Sequence, residues 1–140
     1  MRLAVLDTNI VVSAGIARQG APGRIVMDWV LERQAQVVIC PEIETEYMDV
    51  MGRRKFSRYG FPPFWLGRLM ELSLRLEDPE PWPLALPDPK DAPFLALARA
   101  AGAWLVTGNL KHFARAGRGG VKVVSPAEYL ESLTGGSSAL

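Results

Sequence analysis

Leu3-Ala4-Val5-Leu6-Asp7-Thr8-Asn9 is the stretch on which the fold turns. Four consecutive apolar residues, bounded by Arg2 and Asp7, suit a strand buried on both faces. A strand buried in that way belongs to a parallel sheet with helices on both sides. Asp7-Thr8-Asn9 then supplies capping residues, and a short helix is expected over 10–16. The chain therefore turns from strand to helix at Asp7. That is the edge of an open α/β sheet, beyond the carboxyl ends of the strands, where ligands bind.

Outward from this stretch, the same alternation continues. Gly20, Pro22 and Gly23 mark a loop over 18–23. Val26, Met27, Val30 and Leu31 recur at helical spacing and Trp29 widens the apolar face, which predicts a helix over 24–34. A second strand is expected over 36–40. Pro41 stands in the favoured first turn of a helix that runs to about Gly52. A basic, aromatic connector follows over 52–60. Pro62 and Pro63 open another helix, expected to end near Leu76. The proline-rich residues 78–88 predict an extended segment with room for one short strand. Residues 91–101 are almost wholly apolar and predict a buried helix. Strands are expected over 104–107 and 121–124. Ser125-Pro126-Ala127-Glu128 matches a capping box with proline at the first helical position. The reading is a three-layer α/β/α fold around a mostly parallel sheet with right-handed crossovers. It forms one domain over 1–133, and the Gly/Ser-rich tail from Thr134 to Leu140 is expected to be disordered.

The bulk numbers narrow the class less than the motifs do. A length of 140 residues suits one sizeable core. No apolar run approaches the roughly 20 residues that span a bilayer. Asp7 interrupts the first apolar run too early for a secretory signal, so none is expected. Cys40 is the single cysteine, which excludes a disulfide framework and a cysteine-rich zinc site. A reducing, cytoplasmic setting is the corresponding expectation. Sixteen basic residues against 15 acidic argue against a protein that grips nucleic acid by bulk charge. They leave open an acidic pocket offset by a basic rim.

Several acidic residues fall at one sheet edge in this reading. Asp7 follows the first strand, and Glu46 lies in the second turn of the helix after the second strand. Asp91 opens the buried helix, and Asn109 lies just past the strand 104–107. Carboxylates gathered in one place repel one another, and a cation neutralises them. An all-oxygen set favours Mg²⁺ or Mn²⁺. Glu42 and Glu44 compete with Glu46. Glu44 faces elsewhere on the helix, while Glu42 shares the face but sits in the first turn, where a dipole role suffices. Asp88 competes with Asp91, but Pro89 places it in extended structure.

In this order, the stretches 3–9, 40–47 (Cys40-Pro41-Glu42-Ile43-Glu44-Thr45-Glu46-Tyr47), 88–98 (Asp88-Pro89-Lys90-Asp91-Ala92-Pro93-Phe94-Leu95-Ala96-Leu97-Ala98) and 105–113 (Leu105-Val106-Thr107-Gly108-Asn109-Leu110-Lys111-His112-Phe113) resemble PIN-domain nucleases. Within that family they look most like VapC-like toxins of toxin–antitoxin pairs. The resemblance implies a metal-dependent endoribonuclease. Asp7, Glu46 and Asp91 would be its catalytic acids and metal ligands, Asn109 a further ligand, and Asn9 and Thr107 supports. Ala96 and Ala98 would allow close helix packing. It also implies Mg²⁺ or Mn²⁺, an RNA substrate and a cognate antitoxin, while the helix over 64–76, apolar on more than one face, suggests a homodimer or antitoxin surface. Many relatives carry Asp where this chain has Asn109, so one well-held metal is expected rather than two.

Arg53, Arg54, Lys55 and Arg58, interleaved with Phe56, Tyr59 and Phe61, are candidates to contact single-stranded RNA, as is Lys111. His112 reads as a surface or turn residue and, with Lys111 near the mouth, is a candidate to touch phosphate. Trp65 and Trp82 are candidates for a partner surface. Two rival functions stand beside the toxin: a housekeeping PIN ribonuclease in RNA processing, and a PIN-like module that binds RNA or protein without cutting, which Asn109 motivates. An aspartyl phosphohydrolase is disfavoured because Asn9 stands where its second acid is needed.

Overall fold

A computed structural model of the chain describes residues 2–135. Strand β1 (Leu3–Leu6) lies at the centre of a five-stranded sheet of order β3-β2-β1-β4-β5. The others are β2 (Gln36–Ile39), β3 (Leu74–Arg75), β4 (Trp104–Val106) and β5 (Val123–Val124). Every pairing is parallel. Ala4 faces Val37 on one side and Trp104 on the other, and Leu6 faces Val106. Ala4, Val5 and Leu6 are fully buried, so both faces of the central strand are covered, as the unbroken apolar run requires.

The helices are α1 (Thr8–Ile16), α2 (Ala21–Arg24), α3 (Pro41–Met51), α4 (Leu66–Leu72), α5 (Ala92–Ala101) and α6 (Pro126–Thr134). Helix α5 packs across β1, β2 and β4 and touches α3. Its residues Phe94 to Ala98 are buried in succession, which explains its nearly continuous apolar sequence. Gly102 ends it in the left-handed conformation, at φ 64°. Ser125 and Glu128 form the expected capping box at α6.

Four expectations about elements need correction. The loop over 18–23 is already helical from Ala21, because Pro22 sits in the first turn where proline is tolerated. The helix expected over 24–34 continues α2 as a π-helical turn over Ile25–Val30 and stops there. The helix after Pro62 and Pro63 begins only at Leu66 and ends at Leu72, not near Leu76. The Ser73 hydroxyl donates to the Leu69 carbonyl at 2.7 Å while its own backbone turns extended, and the chain enters β3. The short strand that residues 78–88 had room for therefore lies before them, at Leu74–Arg75. The basic, aromatic connector over 52–60 holds a 3₁₀ turn over Arg54–Tyr59.

Two tryptophans also change place. Trp65, expected on a partner surface, is 6% exposed and belongs to the core beside Leu66 and Leu69. Trp82 is half-buried, with its indole N–H donating to the Gly117 carbonyl at 2.8 Å. The large apolar side chain that does face solvent there is Phe64, at 96% exposure. Of the tail, Thr134 closes α6; residues 136–140 lie outside the described residues.

Candidate active site

Asp7 is delivered by the sheet itself. Its N–H donates to the Val106 carbonyl, so the register of β1 on β4 fixes its backbone. It occupies the N-cap position of α1, yet its side chain makes no capping bond. Instead Oδ2 accepts from Thr107 Oγ1 at 2.7 Å and from Asn9 Nδ2 at 3.3 Å. Asn9 Oδ1 accepts from the Gly108 N–H, and the Asn109 N–H donates to Thr107 Oγ1, both at 3.0 Å. Asn9 and Thr107, singled out from sequence as supports, thus tie the ends of β1 and β4 into one polar knot. Beneath it, the buried Tyr47 hydroxyl of α3 donates to the Leu6 carbonyl, pinning the residue before Asp7.

A cleft of about 760 Å³ opens between α3 and the start of α5. Asp7, Glu42, Glu46, Asp49, Asp88 and Asp91 all line it, with Arg53 and Lys90 as its cations. Glu46 Oε2 accepts from the Thr8 hydroxyl at 3.0 Å. Glu44 is turned away and paired with Arg75. Asp88 is engaged with the Lys90 N–H at 2.9 Å, the peripheral capping role expected of it. Asp91 is 13% exposed at its side chain, and its Oδ2 is buried without a hydrogen-bond partner. His112 Nδ1 lies 3.3 Å from that oxygen without the alignment of a hydrogen bond.

The three expected acids share this cleft and act on one another. Burial pushes the Asp7 carboxyl up, the Thr107 hydroxyl and the Thr8 backbone N–H oppose that, and the charge of Glu46 raises it further. Burial is also the largest cause for Asp91, the charge of Asp7 adds to it, and the carboxyl is pushed up to about 6. Among the described residues, no three His, Cys, Asp or Glu side chains are grouped tightly enough to enclose a metal ion unaided. Asn109 is not in the cleft lining; its amide lies 2.8 Å from His112 Nε2. Thr8 is the contributor that sequence reasoning passed over, since it read as one of the capping residues at the helix start. His112, expected as a surface or turn residue, is half-exposed in a 3₁₀ turn and lies beside Asp91.

Of the expected RNA contacts, Arg53 lines the cleft. Arg54, Lys55 and Arg58 are exposed on the adjoining 3₁₀ turn, and Lys111 is exposed in a 3₁₀ turn over Leu110–His112. The aromatic faces there are already engaged. Lys55 sits over Phe56 and Arg58 over Tyr59, while Phe56 and Phe61 pack at 5.5 Å.

The raised Asp91 carboxyl has a consequence for stability. A group with a folded pKa above its unfolded value contributes stability below the unfolded value and loses it as pH rises through the folded one. For Asp91 that window runs from 3.8 to about 6. At pH 7, in chelator, its ionised form costs about 1 kcal/mol after allowance for solvent screening. Asp91→Asn should therefore raise the chelator-treated melting temperature at pH 7 by about 3 °C. The gain should vanish near pH 4. A lower melting temperature than the parent at pH 7 would contradict this.

The parallel five-stranded sheet, and a carboxylate cleft at the carboxyl ends of its strands, define an α/β domain with an acidic cleft where such folds bind ligands. The model of the PIN domain family matches residues 3–111, and the chain belongs to that family. No curated relative matches its sequence. Among solved structures, the chain is similar in fold to VapBC2 from Rickettsia felis bound to a DNA fragment from their promoter. The TM-score is 0.62 at 17% identity, covering 88% of this chain and 98% of that one. It is also similar to PAE2754 from Pyrobaculum aerophilum (TM-score 0.56, 16% identity, 95% and 90% covered). FitAcB from Neisseria gonorrhoeae gives a TM-score of 0.56 at 16% identity, with 89% and 98% covered.

Proposed function

We propose that this chain is a metal-dependent endoribonuclease and the toxin of a toxin–antitoxin pair. The observation that carries the metal reading is Asp91 Oδ2: a buried carboxylate oxygen without an aligned hydrogen bond, His112 Nδ1 standing 3.3 Å away, in a cleft shared with Asp7 and Glu46. A buried acceptor left unmatched is costly, and a cation is its natural partner beside two further carboxylates. The donor set is oxygen alone, which fits Mg²⁺ or Mn²⁺. Its looseness also fits, since Mg²⁺ keeps several waters and is held by one or two carboxylates together with substrate phosphate.

Asp7, Glu46 and Asp91 would hold the ion, and Asn109 would offer only an uncharged carbonyl oxygen, so one ion is bound well. When bound, it supplies Lewis acidity toward a phosphodiester oxygen and a more acidic water. The chain's own part is to hold Asp7 through Thr107 and Asn9, to hold Glu46 through Thr8, and to keep His112 beside Asp91. Arg53 and Lys90 at the cleft, with Arg54, Lys55, Arg58 and Lys111 near it, would draw an RNA backbone toward the acids. Likeness of fold to VapBC2 and FitAcB, with the sequence resemblance to VapC-like toxins, supports an antitoxin partner; a homodimer and a cytoplasmic setting belong to the same reading. No helix among the described residues is long and apolar enough to cross a membrane.

The test is cleavage of a single-stranded RNA by the purified chain with Mn²⁺, then with excess chelator, then with Mn²⁺ restored. Cleavage should disappear and return. Undiminished cleavage in chelator, or none in any arm, would sink the proposal.

A further inference from the structure

We infer that Thr8 is a positioning residue that presents Glu46 to the metal, an inference that rests on the function proposed above. A threonine at a helix start ordinarily bonds the backbone of its own helix. Thr8 does not: its hydroxyl crosses to a residue 38 positions away and donates to Glu46 Oε2 at 3.0 Å. Thr8 is 7% exposed as a residue, so this part-buried hydroxyl has a specific acceptor rather than bulk water.

Glu46 needs such help. It projects from the middle of α3 on a long side chain, whereas Asp7 and Asp91 are short and leave the backbone at element boundaries. Unheld, a glutamate there would sample several rotamers and lose that freedom on binding a cation. Held through Oε2, it has one oxygen engaged by Thr8 and the other left for the cleft. Thr8 follows Asp7 directly, so one strand end fixes both the first acid and the orientation of the second. That couples the α3 acid to the sheet by a route independent of the Thr107–Asn9 knot.

The test is Mn²⁺ binding by calorimetry on the full chain. Thr8→Val keeps shape and β-branching but removes the donor, and should weaken Mn²⁺ binding by about tenfold, the range seen when partners that orient metal ligands are lost. Thr8→Ser restores the donor and should bind within about twofold of the parent on the same scale. In a Glu46→Ala background, Thr8→Val should weaken binding no further. A purely structural threonine would instead shift the metal-free melting temperature and leave Mn²⁺ affinity alone. Parent-like affinity in Thr8→Val, or failure of Thr8→Ser to rescue, overturns this inference and leaves the proposed function standing. A parent chain that binds no Mn²⁺ overturns both.

Discussion

Asp7→Asn should lower RNA cleavage by about a thousandfold, roughly 4 kcal/mol of lost transition-state stabilisation. Asparagine keeps the shape, and its side-chain oxygen still accepts from Thr107. What it removes is the charge at the centre of the carboxylate set, the one that raises Asp91 and is itself raised by Glu46. Folding should not suffer. Burial opposes ionisation of Asp7, so the neutral amide should leave the metal-free melting temperature equal to or above the parent's. The measurement pairs initial cleavage rates in Mn²⁺ with thermal unfolding in chelator. A rate within about fivefold of the parent would remove Asp7 from the centre of the site.

The second large effect concerns the scaffold. Gly23 lies in α2, and a Cβ there would stand 2.3 Å from the Arg18 carbonyl oxygen and 2.7 Å from that of Ala17. Both obstacles are backbone, so no side-chain rotation relieves them. Glycine to alanine inside a helix ordinarily gains about 1 kcal/mol. Here the clash should outweigh that gain and destabilise by about 2–3 kcal/mol net, a drop near 10 °C in melting temperature. Gly67 in α4 provides the control, because a Cβ there meets nothing within 4 Å. Gly67→Ala should hold or raise the melting temperature. Equal responses at the two positions would show that the contact with Ala17 and Arg18 does not constrain α2.

Legibility in the sequence followed the length and purity of each signal. Leu3–Leu6 and Gln36–Ile39 were readable because strands buried on both faces need unbroken apolar runs. Strand β3 was hidden, although Leu72, Leu74 and Leu76 alternate with Ser73 and Arg75 in the period of a strand. A helix pattern ran into them, and two paired residues are too few to contest it. The site followed the same logic. Asp7 and Asp91 could be placed because each stands at an element boundary. Glu46 could be preferred to Glu44 because helix phase separates them, and the structure has Glu44 paired with Arg75. Thr8 could not be found, because its partner lies on another helix and no periodicity links them. Asn109 was read as a further ligand just past β4; its amide lies against His112, three residues on in the same turn.

The bond from Thr107 to Asp7 joins residues 100 positions apart. At ordinary rates of synthesis, a ribosome needs about 5–20 s to lay down that much chain. While residues 47–90 are being added, nascent chains of this protein therefore carry Asp7 and Glu46 with neither Asp91 nor the Thr107 clasp. Prematurely terminated products carry the same incomplete set. Under the proposed function, the message being translated meets the finished enzyme only after β4 has emerged and docked against β1. Under that function, the late arrival of β4 would delay the release of activity until it docks against β1.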